Sequence, residues 1–400
     1  MRNQGQIVGK LKLGDWPLLA LGFRPFYLGA AAFAVFALPL WLVWYAGYFS
    51  AMPAMNGVTW HMHEMIFGFA PAVIAGFLLT AVRNWTGLPT PTGKALAGLF
   101  LLWLAGRILI LTGPLPVASV VDLIFLPAVA VAIAIPIWQS RNKRNFKVLA
   151  IIAALTLANL VFHLANMHVL PYLLVSTAYK LALDIITLLI AIIAGRVIPA
   201  FTSNALANAN IRRDSRIEFV AIASLIAITL AGVLSPWWTI PKTVWIVILA
   251  MGALSHSIRL ALWAPHRTVS EPLLLMLPVA YAWLPLSLAL RMLAESGMVP
   301  TGMAIHALTI GAMSSLMLAM MTRSALGHTG RPLLAGAAET SAFSLLQLAA
   351  ITRVLAGSIP AEFYRHAVMA SGAMWALAFA IFLIAYWPIL TRRRIDGRPG

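Results

Sequence analysis

Trp60-His61-Met62-His63-Glu64-Met65-Ile66-Phe67-Gly68-Phe69 opens an apolar run that continues through Leu79, and it sets two histidines and a carboxylate at the mouth of that run. The run to Arg83 is long enough to cross a bilayer as a helix. Ionisable groups in such a segment are rare and mark functional sites. His61 and His63 are two residues apart, which is about 200° of rotation on a helix, so their imidazoles point to opposite sides. A regular helix therefore cannot chelate one metal with both. The pair suits two different partners, one on each side.

The rest of the chain agrees with a membrane setting. Apolar residues make up 62% of it and charged ones 10%, against roughly 45–50% and 25% in an ordinary soluble domain. Cysteine is absent, which excludes disulfides, thiolate metal sites and iron–sulfur clusters and leaves His, Met, carboxylate or backbone as metal ligands. The net charge of +17 does not imply nucleic acid, because the cations lie in short clusters between apolar runs and form no tract. Runs of spanning length fall near residues 26–48, 60–83, 95–111, 117–138, 148–168 and 172–198, and again near 217–234, 244–263, 273–293, 303–321, 334–355 and 367–387. The expected fold is all-α, a polytopic bundle of about twelve transmembrane helices over residues 26–390, between an N-terminal lead-in (1–25) and a basic tail (391–400). Alternate loops and both ends hold 22 of the 28 cations, which predicts an inner-membrane protein with both termini in the cytoplasm.

A shift of 243 residues aligns His63 with His306, Gly68 with Gly311 and Thr86-Gly87 with Thr329-Gly330. Span 6, ending Gly195-Arg196-Val197-Ile198-Pro199, runs in the same direction and has a similar polar exit. Spans 2, 6 and 10 are thus expected equivalents in three quasi-equivalent units of four helices. The exits themselves, such as Arg83-Asn84-Trp85-Thr86-Gly87 and the stretch from Thr322 to Pro332, read as helix-stop chemistry, with a cytoplasmic gate or proton entry as the functional alternative.

With that orientation, His61, His63, His163, His168, His306 and His366 share one layer at the outer ends of their helices, and the cations Arg107, Lys180, Lys242, Arg291, Arg353 and Arg365 lie on the same side. A haem accounts for both observations, since its iron takes axial imidazoles and its propionates need cations near an aqueous face. His61 or His63 with His306 is the expected axial pair, and Arg107, Arg353 and Arg365 are the expected cationic partners. A copper held by remaining imidazoles among His163, His168 and His366, with a thioether from Met52, Met55, Met62 or Met65, is chemically consistent. The sequence does not select its ligands. Taken singly, histidines such as His163, His168 and His366 are equally read as hydrogen-bonding groups between helices, and the outer arginines as snorkelling to headgroups.

The stretches Trp60 to Gly68, Gly195 to Pro199 and Gly311 to Arg323, with Gly327-His328-Thr329-Gly330-Arg331-Pro332, resemble the NnrS family of bacterial membrane proteins over essentially the whole chain. The resemblance implies haem b and copper, and a link to nitric oxide and nitrosative stress in denitrifying bacteria. It does not bring an agreed reaction. A more distant likeness is to the catalytic subunit of haem–copper oxidases and nitric oxide reductases, carried by His61, Met65, Phe67, Pro71 and Gly76. That likeness favours His61 as the low-spin ligand where the internal repeat favours His63. The oxidases' His-x-His pair on helix 10 and copper histidines on helices 6 and 7 are missing here.

These readings lead to a haem- and copper-containing protein that acts on or responds to nitric oxide or a related small ligand near the periplasmic face. Redox turnover would require an electron donor. The alternatives are a non-enzymatic sensor or buffer of nitric oxide, and a transporter without haem.

Overall fold

The computed structural model describes residues 16–48, 55–141, 143–206 and 210–398. Among these residues, twelve helices are long and apolar enough to cross a membrane. They are α1 (Phe23–Tyr45), α2 (Gly57–Thr86), α3 (Gly93–Thr112), α4 (Leu115–Gln139), α5 (Phe146–Asn166) and α6 (Leu173–Ala205), followed by α7 (Ser215–Leu234), α8 (Lys242–Leu262), α9 (Pro272–Glu295), α10 (Thr301–His328), α11 (Ala337–Leu355) and α12 (Ala361–Thr391). The all-helical outcome follows from the solvent, because in lipid a helix satisfies its own backbone groups. The N-terminal cations Arg2, Lys10 and Lys12 and the thioether candidate Met52 lie outside the described residues.

Several helices run past the apolar stretches that announce them. α6 continues to Ala205, α10 to His328 and α12 to Thr391, because hydropathy reports only the hydrocarbon-facing part of a helix while caps decide where it stops. For α2 both stops are visible. Asn56 Oδ1 accepts the Thr59 N–H at 3.0 Å, and Gly87 takes a left-handed conformation, φ +71°, which costs least for glycine.

Consecutive helices pack side by side, and α12 closes the arrangement on α1. α2 is the most enclosed, with 89% of its central window buried, against 28% in α3, α7 and α8. The expected equivalents α2, α6 and α10 meet around a small apolar cavity, where Val73 and Phe77 face Ile190, Ile193, Met317 and Met320. This apolar waist separates two polar ends. One carries the histidines near the starts of α2 and α10, and the other carries the arginine-rich exits of α2, α6 and α10.

Two of the three equivalents share a device that the sequence does not announce. α2 widens into a π-helix over Glu64–Phe69 and α10 over Ala307–Ser314, and both begin directly after a histidine, in the register of the 243-residue shift. In α10 the hydroxyls of Ser314 and Ser315 donate to carbonyls five residues back, Thr309 O at 2.8 Å and Ile310 O at 3.1 Å. α6 has no such turn.

Candidate functional site

His63 leaves α2 toward α3, α4 and α5 and is fully buried, as is His163 from α5. The Nε2 atoms of His63 and His163 lie 3.2 Å apart. Asp122 Oδ2, from α4, is 2.9 Å from His163 Nε2 and 3.3 Å from His63 Nε2. Three donor atoms at these separations face one point, and about 3.3 Å is the edge of a tetrahedron whose metal–ligand bonds are about 2.0–2.1 Å. Two imidazoles and one carboxylate are thus gathered as a metal-ligating set.

The surrounding shell fixes their orientation. His63 Nδ1 lies 2.9 Å from Glu64 Oε1. Donating that N–H leaves the Nε2 lone pair toward the cluster. Asn159 Nδ2 donates to Asp122 Oδ2 at 2.7 Å, and Asn159 and His163 are four residues apart on one face of α5. Arg107, from α3, donates Nη1 to Glu64 Oε1 at 2.5 Å and Nη2 to Asp122 Oδ1, so one guanidinium bridges two buried carboxylates and offsets one of their two charges. Gly68 makes room for it, since a Cβ there would lie 2.5 Å from Arg107 Nη1. In the same widened turn, the Gly68 carbonyl accepts the Trp103 indole N–H at 3.0 Å. His163 Nδ1 is buried with no partner.

His61 points the other way. It lines a cavity of about 350 Å³ that also receives His306 from α10 and Arg353 from α11. Its ring stacks on Trp41 with centroids 4.2 Å apart and planes at 22°, and its buried Nδ1 has no hydrogen-bond partner. His306 Nδ1 lies 2.7 Å from Gly302 O, a contact that holds the ring as the Nδ1–H tautomer and frees Nε2 for a ligand. Arg353 Nη2 donates to the Tyr364 hydroxyl at 3.2 Å. Tyr45, Tyr179 and Trp375 complete an aromatic wall, with Met62, Met65, Met313 and Met317 between.

The structure therefore sorts the expected residues. His61, His306 and Arg353 share one cavity, and His63 and His163 share a separate cluster with Asp122. Arg107 belongs to that second cluster and is held by carboxylates. Arg365 is exposed and donates to Ala46 O at 2.6 Å. His168 is exposed, with φ +59°, and stacks on Tyr172, and His366 is also exposed; neither reaches a donor set. Arg291 pairs with Asp184 at 2.7 Å. The thioether candidates Met62 and Met65 line the His61 cavity, away from the three-donor cluster. Asp122 and Asn159 were not among the expected ligands. The four-residue spacing from Asn159 to His163 was the available signal.

Among the described residues, twelve helices of spanning length, with one buried His–Asp–His cluster spaced to hold a metal ion and the half-buried pair His61 and His306 at the same end, define the chain as a polytopic membrane protein. Residues 17–394, nearly its whole length, match the NnrS protein family. The chain belongs to that family, whose members are membrane proteins linked to nitric oxide and associated with metal and haem. No curated protein matches it.

Proposed function

We propose that this chain is a haem-containing metalloprotein of the bacterial inner membrane that acts on, or responds to, nitric oxide or a related nitrogen oxide near the periplasmic face. The observation that carries the reading is the division of labour across α2: two histidines two residues apart feed two different donor sets at one end of the bundle. His61 and His306 would hold haem b. Their fit rests on the unpartnered buried Nδ1 of His61, the fixed tautomer of His306, and an aromatic cavity with Arg353 at its rim. His63, His163 and Asp122 would hold a second metal. Two imidazoles and a carboxylate suit copper and equally suit non-haem iron or zinc; copper is the choice that the sequence resemblance implies. The haem would supply a redox-active iron able to bind a diatomic ligand. The protein's own part is to hold ring tautomers, to balance the buried carboxylates with Arg107, and to exclude water with Trp41, Phe67 and Phe162.

An absorption spectrum of the purified full-length protein tests the reading. A Soret band is expected, altered or lost in His61→Ala and His306→Ala and retained in His63→Ala, where bound copper falls instead. A colourless protein overturns the haem assignment and leaves a transporter. A Soret band unchanged in both His61→Ala and His306→Ala overturns the ligands. Consumption of nitric oxide by the reduced protein then separates an enzyme, with its electron donor, from a sensor or buffer.

A further inference from the structure

Neither histidine cluster uses the polar exits at the opposite end, yet these exits converge. Asn84 and Trp85 of α2, Arg196 and Asn204 of α6, and Arg323 and His328 of α10 line one cavity of about 590 Å³. Helix-stop chemistry explains Gly87 and Gly330, whose φ values are +71° and +76°. It gives no reason for two arginines to face a cavity.

Arg323 is the decisive residue. It is only 8% exposed. Among the described residues three other arginines are buried, and each has acceptors: Arg24 donates to the carbonyls of Leu390 and Arg392, Arg107 to Glu64 and Asp122, and Arg259 to Glu218 and Ala191 O. Arg323 has a buried Nε with no acceptor, and its guanidinium rests on the Phe201 ring, 4.4 Å from the centroid. Arg196 donates Nη1 to Asn145 Oδ1 at 3.2 Å and leaves Nη2 buried without a partner. Glu271 also lines the cavity but pairs with neither arginine. A buried guanidinium without a counter-charge is costly, and its planar fork matches carboxylate and phosphate oxygens.

We propose that this cavity binds the carboxylate or phosphate group of an anion, gripped by Arg323 and Arg196, while Phe77, Trp85 and Phe201 cover an apolar portion. A cavity of this size is typical of small-molecule sites. A soluble anion entering from the aqueous face and a phospholipid headgroup entering from the bilayer offer the same chemistry. The site is independent of what the histidine end binds.

Full-length protein in phosphatidylcholine nanodiscs is titrated with radiolabelled inorganic phosphate at constant ionic strength. It is also exchanged into discs of phosphatidylglycerol and phosphatidylcholine in equal parts, extracted with detergent, and the retained lipid is counted. Saturable phosphate binding that weakens about tenfold or more in Arg323→Gln and Arg196→Gln supports the site and identifies a soluble anion. Retention of phosphatidylglycerol over phosphatidylcholine by the native protein and not by the variants supports it and identifies a headgroup. Arg323→Lys, which keeps the charge and loses the fork, is expected between the two. Absence of both signals, or signals undiminished in both Gln variants, overturns the proposal. Arg196 is only partly buried, so Arg196→Gln keeps the test decisive if Arg323→Gln fails to elute as a single species.

Discussion

Arg107 carries more of the histidine end than its single charge suggests. It holds Glu64 on α2 and Asp122 on α4 together, and the two carboxylates in turn orient His63 and His163. Removing one member of a buried ionic group leaves the others uncompensated, at a cost of about 3–5 kcal/mol. Arg107→Ala should lower thermal stability by an amount of this order, and added divalent copper should recover part of the loss by supplying the missing positive charge; a variant as stable as the native protein would mean that the carboxylates are not ionised as drawn. Glu64→Gln is a finer probe. It weakens the hold on the His63 ring without removing a donor atom of the three-atom set, so copper affinity should fall about 10–100-fold while any chromophore at His61 and His306 stays unchanged. Equilibrium dialysis against copper measures the first and the Soret band the second.

At the scale of the element, the opposition of His61 and His63 was readable from helical rotation and the twelve spans from hydropathy, while the internal repeat marked His306 without saying which of the two histidines it would sit beside. The two π-turns were not. Hydrogen bonding to the residue five back has no compositional signature, and after Glu64 the stretch Met65–Phe69 reads like any other apolar turn. Nor could one chain show that Asp122 and His163 meet, since their approach depends on how α4 and α5 pack against α2. The exposed positions of His168, His366 and Arg365 were hidden for a related reason: a residue just beyond the bilayer and one just inside it look alike when spans are bounded only by hydropathy. The π-turns themselves predict a result. Each accommodates an extra residue, so deleting Ile310 should restore an ordinary helix and rotate His306 by about 100° relative to the lower part of α10. The expected outcome is a protein that still inserts in the membrane but has lost the spectral contribution of His306; an unchanged spectrum would show that the turn does not set the ring's direction.

For the whole molecule, alternating helix directions put His61, His163 and His306 at one end and the cation clusters at the other. The 22-to-6 division of cations predicts that reporter fusions after Lys147, Arg216 and Arg394 all register cytoplasm. A periplasmic signal at any of them would invert the assignment of both ends.

The apolar waist between those ends behaves as the dielectric of a capacitor. Among the described residues lining it, Tyr27 alone carries a hydroxyl, and Ser324, at the arginine end, donates to that hydroxyl at 3.3 Å. No chain of exchangeable protons runs from there to His61 or His63 through this cavity. Through this cavity, then, the histidine end has no proton connection to the arginine end, and protons taken up or released beside the histidines would exchange with the water on their own side. If the protein turns over nitric oxide as proposed above, a potential imposed in proteoliposomes by potassium and valinomycin should leave that rate unaltered; a rate that follows the potential would reveal a proton route outside this cavity.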